Sequence, residues 1–128
     1  MVTLNPPKKT ILIVEDEHDI RLLYAEILMD AGYEVLQASD GNIGLEMIQN
    51  EVWDLLLLDV ILPVKDGIRI LKEIKDTKDI KKGPVIVLTN LNSEHIIDEA
   101  FKLGASGYLI KSEITPDKIL DEIKSFVG

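Results

Sequence analysis

With 128 residues, 46% hydrophobic and 29% charged, the chain has the size and composition of one globular domain: enough for a proper core, too little for two. It holds no cysteine, which excludes disulfides and thiolate metal sites. Its apolar runs are far too short to span a membrane, and MVTLNPPKKT lacks the apolar core of a signal peptide.

A formal net charge of -9 argues against direct binding to nucleic acid or anionic lipid, although acidity also serves simple solubility. The expected location is the cytoplasm.

Residues 1–9 are polar and proline-containing and are expected to be a flexible N-terminal tail before a domain spanning 10–128. TILIV (Thr10–Val14) is β-branched and of strand length. Next come Ile20, Leu23, Tyr24, Ile27, Leu28 and Ala31, spaced as one helical stripe, with Gly32 placed to end it.

Tyr33–Ala38 reads as a second strand, and a second helix is expected from about Asn42 to Asn50. DLLLLD forms the third strand, followed by a helix that starts near Asp66 with Ile68, Leu71 and Ile74 on one side. Pro84–Thr89 is the fourth strand. Ser93 is placed to cap a helix carrying Ile96, Ile97, Ala100 and Phe101, closed by Gly104. Gly107–Ile110 is the last strand. Thr115 caps the last helix, Pro116 takes its first position, and Ile119, Leu120, Ile123 and Phe126 form its core face.

Five strands alternating strictly with five helices predict an α/β fold: a single doubly wound (βα)5 domain with a parallel sheet and helices on both faces. The unbroken apolar strands agree, because such a sheet is buried on both sides. DTKDIKKG (Asp76–Gly83) is a marked charge cluster and reads as a solvated loop.

Ligands of such sheets bind beyond the carboxyl ends of the strands. Strand 1 ends in Glu15, Asp16 and Glu17, strand 2 in Ser39, Asp40 and Gly41, strand 3 in Asp59, strand 4 in Thr89, and strand 5 in Lys111. Each has an ordinary alternative: Asp16 or Asp19 capping the first helix, Asp59 making a turn, Thr89 ending a strand, Lys111 solvated. If strands 1, 3, 4 and 5 are neighbours, three carboxylates, a hydroxyl and an ammonium converge.

Clustered carboxylates repel unless one protonates or a cation intervenes. A hard divalent cation, Mg2+ or Mn2+, suits that oxygen set. Asp59 would then be a carboxylate nucleophile able to form an acyl phosphate, with Lys111 and Thr89 holding phosphoryl oxygens.

IVEDE (Ile13–Glu17), LLLLDVILPVKDG (Leu55–Gly67), VIVLTN (Val85–Asn90) and GASGYLIK (Gly104–Lys111) carry a resemblance to the receiver domain of two-component response regulators, over residues 10 to 127. The resemblance implies strand order 2-1-3-4-5 in a flavodoxin-like sheet, an order for which receivers serve as a standard example. It implies Asp59 as phosphoacceptor, Asp16 as a direct metal ligand, Glu15 supporting the metal through water, and the Ile61 backbone carbonyl completing the protein ligands. Thr89 and Lys111 take switching roles. Tyr108 stands where the family has an aromatic ring whose orientation reports activation, or is a partly buried core aromatic.

The implied function is acceptance of a phosphoryl group from a histidine kinase or histidine phosphotransfer protein. The face formed by helix 4, strand 5 and helix 5 then changes shape to control a downstream protein target or output domain. This is a signalling domain that assists its own phosphorylation and not a turnover enzyme. Homodimerisation through the same face is a further option.

Three features depart from the family pattern. Ser112 replaces the usual cis-proline after the lysine; a cis bond without proline costs about 2.5–4 kcal/mol, so a trans bond is expected. Asn90 stands where a small residue is usual. Ile61 and Leu91, flanking the phosphoryl position, are apolar and cannot orient an attacking water, which predicts slow self-dephosphorylation.

The alternative reading is a degenerate receiver used only for docking or dimerisation; the intact set Glu15, Asp16, Asp59, Thr89 and Lys111 argues against it. An aspartyl-phosphate hydrolase would want an aspartate at Ile61. A flavodoxin-like cofactor binder would want a phosphate-cradling loop in place of the acidic, glycine-free EDEHDI. His18 and His95 are read as surface residues.

Overall fold

Alternate side chains of a strand face opposite sides of its sheet, and this period sorts the whole core. The computed structural model describes residues 8–62, 65–80, 83–90 and 94–127. Its elements are β1 (Thr10–Val14), α1 (His18–Asp30), β2 (Glu34–Ala38), α2 (Gly41–Asn50), β3 (Leu55–Asp59), α3 (Gly67–Asp76), β4 (Val85–Thr89), α4 (Glu94–Lys102), β5 (Gly107–Ile110), a 3-10 turn (Lys111–Glu113) and α5 (Pro116–Val127). The five strands are parallel, in order β2-β1-β3-β4-β5. The expected α/β doubly wound fold is therefore the observed one.

Ile11, Ile13, Leu55, Leu57, Ile86 and Leu88 meet Tyr24, Ala25 and Leu28 of α1 and Ile119 and Ile123 of α5 on one face. Leu12, Val14, Leu56, Leu58, Val85 and Val87 meet Ile48 of α2, Ile70, Leu71 and Ile74 of α3, and Ala100 of α4 on the other. The four leucines of β3 thus split two and two between the layers. Every residue of β3 and β4 is buried, as expected of central strands.

Local signals set the element ends. The Asp40 carboxylate accepts from the Ile43 N–H at 2.9 Å to cap α2, and Asp66 accepts from Arg69 N–H at 3.0 Å to cap α3. The Thr115 hydroxyl accepts from Lys118 N–H at 3.3 Å, with Pro116 opening α5 as expected. Gly32 and Gly104 follow α1 and α4 at φ 97° and 102°, values that favour glycine. No peptide bond among the described residues is cis, so Lys111–Ser112 is trans.

Some expectations fail at the helix margins. Leu23 is 53% exposed, Ala31 is also exposed, and Ala25 is buried in their place. Phe101 and Phe126 likewise sit outside the core. A stripe gives a helix its direction, but the sheet covers only a narrow arc of it, so residues at the stripe's edge stay in solvent. The capping accounts of Asp16 and Asp19 also fail: α1 begins after Glu17, whose side chain makes no capping bond. The Ser93 cap, the Leu91 position and most of the 1–9 tail lie outside the described residues. Lys9 is described, and its carbonyl accepts from Glu34 N–H at 2.9 Å.

Candidate functional site

The parallel register aligns the strand ends. Leu58 of β3 pairs with Val14 of β1, Asp59 with Leu88 of β4, and Thr89 with Ile110 of β5. Glu15 and Asp16 follow β1 directly, and Lys111 follows β5. Among the described residues, the buried polar or charged ones are Glu15, Asp59 and Thr89, all at this rim. Among the described residues, buried carboxylates therefore occur only at this rim.

One ligand oxygen each from Glu15, Asp16 and Asp59 falls within 4.8 Å of the others, with Asp16 exposed and the other two buried. The Lys111 side chain, 5% exposed, places its Nζ 2.6 Å from Asp59 Oδ2 and in an ion pair with Glu15 Oε1. The Ile61 N–H donates to the other Asp59 oxygen, Oδ1, at 3.1 Å. One ammonium thus bridges two carboxylates.

The electrostatics follow from burial. Desolvation is the main reason the Glu15 carboxyl is pushed up to about 8; the neighbouring Asp59 adds to it and Lys111 opposes it. Burial would lower the Lys111 ammonium's pKa, but hydrogen bonds and attraction from Asp59 and Glu15 raise it on balance. Lys111 therefore stays charged. One lysine is too little positive charge for three carboxylates.

The residues fit a hard divalent cation. Glu15 Oε2 is buried without a hydrogen-bond partner, and the donors are all carboxylate oxygens, the set Mg2+ prefers.

Other expected residues take varied places. Thr89 is buried at the end of β4, one residue past the Asp59 register. The Ile61 side chain is 61% exposed, and Asn90 is also exposed. Tyr108 faces outward, 41% exposed, edge-on to Phe101 with ring centroids 6.2 Å apart.

Two residues were missed by the sequence reading. Arg21 of α1 donates through Nη1 to the Glu15 carbonyl at 2.8 Å and places Nη2 3.2 Å from His18 Nδ1, tying α1 to the acidic loop. Tyr24, expected only as core, lies within the field of Lys111, Glu15 and Asp59, and burial raises its phenol. Nothing in the sequence distinguishes Arg21 from a solvated helix residue; a cation within two turns of an acidic strand end is the only available hint.

The family described as the response regulator receiver domain matches residues 11–124. Sporulation initiation phosphotransferase F of Bacillus subtilis is 36% identical over 117 residues, covering 91% of this chain and 92% of that protein. The transcriptional regulatory protein CpxR of Klebsiella pneumoniae is 43% identical over 101 residues, which are 79% of this chain and 42% of that protein. The chain spans about half the length of the transcriptional regulators it matches.

Among solved structures, the chemotaxis protein CheY4 of Vibrio cholerae superposes with a TM-score of 0.86 at 31% identity, covering 94% of this chain and 99% of that one. A CheY-like receiver from Methanospirillum hungatei gives 0.85 at 31% identity, over 93% of each chain. No helix among the described residues is long and apolar enough to cross a membrane. The buried carboxylates, the bridging lysine, the strand order and these matches agree: this chain belongs to the receiver domain family of two-component response regulators.

Proposed function

We propose that Asp59 accepts a phosphoryl group from a phosphohistidine on a kinase or phosphotransfer protein. The observation that carries this reading is the Asp59 carboxylate, held at 2.6 Å by Lys111 Nζ beside the Glu15 and Asp16 carboxylates. An Asp59 carboxylate oxygen attacks phosphorus, the P–N bond to the imidazole breaks as the new P–O bond forms, and the imidazole leaves with its electron pair. Lys111 follows the charge onto the phosphoryl group, and the Thr89 hydroxyl donates to a second phosphoryl oxygen.

Mg2+, or Mn2+, would be held by Asp16, Asp59, the Ile61 carbonyl and, through water, Glu15. When bound it supplies charge neutralisation at the transferring phosphoryl oxygens. The Ile61 N–H on Asp59 Oδ1 and the Lys111 Nζ on Oδ2 fix the carboxylate plane before transfer.

Drawing Thr89 toward the phosphoryl group moves the end of β4 and leaves room for Tyr108 to turn inward from its exposed pose. The face of α4, β5 and α5 then differs between the two states, and the phosphoryl group favours one of them. A downstream protein target or output domain reads that face, and a homodimer could use it too. The chain acts in the cytoplasm as a signalling domain.

The deciding experiment is incubation with acetyl phosphate and Mg2+ followed by intact-mass measurement. One added phosphoryl group is expected in the wild type and none in Asp59→Asn or without metal. No gain under any condition would make the domain a docking module only. The apolar Ile61 and Leu91 predict a long-lived phosphoryl group, so Ile61→Asn/Leu91→Glu should decay faster than wild type; a slower variant would refute that part.

A further inference from the structure

A groove of about 1020 Å³ opens between α3 and α4, beginning at the residues that follow Asp59. Its apolar surface comes from Ile61, Ile68, Ile96 and Leu103. Ile61 is the most exposed of these, at 61%. Three exposed cations, Arg69 and Lys72 of α3 and Lys102 of α4, stand along the same groove. Two acids also line it, but Asp66 is turned to the α3 N-cap, which leaves Glu99.

This cationic edge runs against the charge of the whole molecule. Positions 65–82 hold seven of the 14 Lys and Arg residues but only four of the 23 Asp and Glu residues, in a chain of net charge -9, and two of the seven, Arg69 and Lys72, line the groove. An acidic ligand is repelled by most of the surface and attracted here, which orients its approach. α3 has 10 residues, so the groove runs beside about three helical turns, the length over which a short amphipathic helix lays its apolar face between two others.

We propose that the α3–α4 groove docks an acidic amphipathic helix of a partner protein, its apolar side chains on Ile61, Ile68, Ile96 and Leu103 and its carboxylates on Arg69, Lys72 and Lys102. A polyanion such as nucleic acid fits less well, since three cations do not offset the acidic surroundings. A second copy could offer α1, which carries exposed Leu22, Leu23 and Met29 among Asp19, Glu26 and Asp30. That contact joins unlike surfaces, so it would give a ring or an open chain of molecules and not a two-fold dimer. The proposal does not depend on phosphorylation of Asp59.

The test uses the full chain, 15N-labelled, without metal or phosphodonor. The probe is a synthetic helical peptide of about 14 residues with leucines at i, i+3, i+4 and i+7 and glutamates elsewhere. Saturable binding is expected, with amide shifts concentrated in α3 and α4. Because the substituted side chains are exposed, Arg69→Glu/Lys72→Glu should keep its thermal midpoint while binding weakens by about tenfold or more. A peptide with lysine in place of glutamate should not bind.

No saturable binding, equal binding by the double variant, or shifts centred on α1 or on α4–β5–α5 would overturn the proposal. So would concentration-dependent self-association in sedimentation that the double variant abolishes, since the groove would then belong to a second copy.

Discussion

Strands β3 and β5 each deliver one charged residue to the same ion pair, yet they are built differently. β3 is central, hydrogen-bonded on both sides, and all five of its residues are buried. β5 has four residues at the sheet edge; only Gly107 is buried, and Tyr108 is exposed. Asp59 therefore sits on a mount that cannot shift without disturbing both core layers. Lys111 sits on a margin where rearrangement disturbs little packing. The proposed switch calls for both: a carboxylate held fixed for chemistry, and a neighbouring surface loose enough to report it.

The sharpest way to break this contrast is a pair of truncations. Leu57→Ala should cost about 3–5 kcal/mol, whereas Leu109→Ala, only partly buried, should cost about 1–2 kcal/mol in urea unfolding. Equal losses would mean that β5 is as tightly packed as β3.

Next in size is Lys111→Met, which leaves Glu15 and Asp59 facing each other without a cation. We expect a loss of about 2–3 kcal/mol near pH 9, under the 3–5 kcal/mol usual for an orphaned buried charge because Glu15 can take up a proton. The loss should shrink at pH 6. A loss that grows toward acid would contradict the shared-lysine picture.

Glu15 also sets a pH dependence in the metal-free protein. Its carboxyl is raised from 4.5 to about 8, so between those values the folded chain holds a proton that the unfolded chain has released. Stability is thus fully present below the unfolded value and is lost as pH rises through about 8. Urea midpoints should fall over that range and level off above it. Glu15→Gln should flatten the slope, and saturating Mg2+ should restore most of the alkaline loss; a slope unchanged in Glu15→Gln would assign the proton elsewhere.

The smallest effect concerns the loop after β3. A Cβ on Gly41 would stand 1.8 Å from the Lys65 carbonyl oxygen, so α2 approaches the β3–α3 loop too closely for any side chain. That loop is also held by the Lys65–Glu73 ion pair at 2.9 Å, and it carries Ile61. Gly41→Ala should shift the loop at a cost of about 1–3 kcal/mol and weaken Mg2+ binding about threefold in calorimetric titration. Unchanged metal affinity would show that the Ile61 carbonyl is positioned independently of α2.

Much of this is legible in the amino-acid sequence. β-branched and leucine runs, the Thr115 cap, and Gly32 and Gly104 are local signals, and each strand end is readable residue by residue. The misses were non-local. Leu23, Phe101 and Phe126 satisfy a helical stripe, but how much of that stripe the sheet covers depends on where neighbouring helices stop. Arg21 reads as an ordinary helix residue until α1 is placed against the Glu15 carbonyl.

The amino-acid order alone determined the alternation of strands and helices, the two-sided burial of β3, and the presence of Glu15, Asp16, Asp59, Thr89 and Lys111 at strand ends. These follow from periodicity and backbone chemistry within a few residues. Only the tertiary structure decided which carboxylate is sealed in the core, that one lysine spans Glu15 and Asp59, and that Tyr108 points out. Those outcomes depend on distances between segments far apart in the chain, and on the low-dielectric interior that forms only when the layers close.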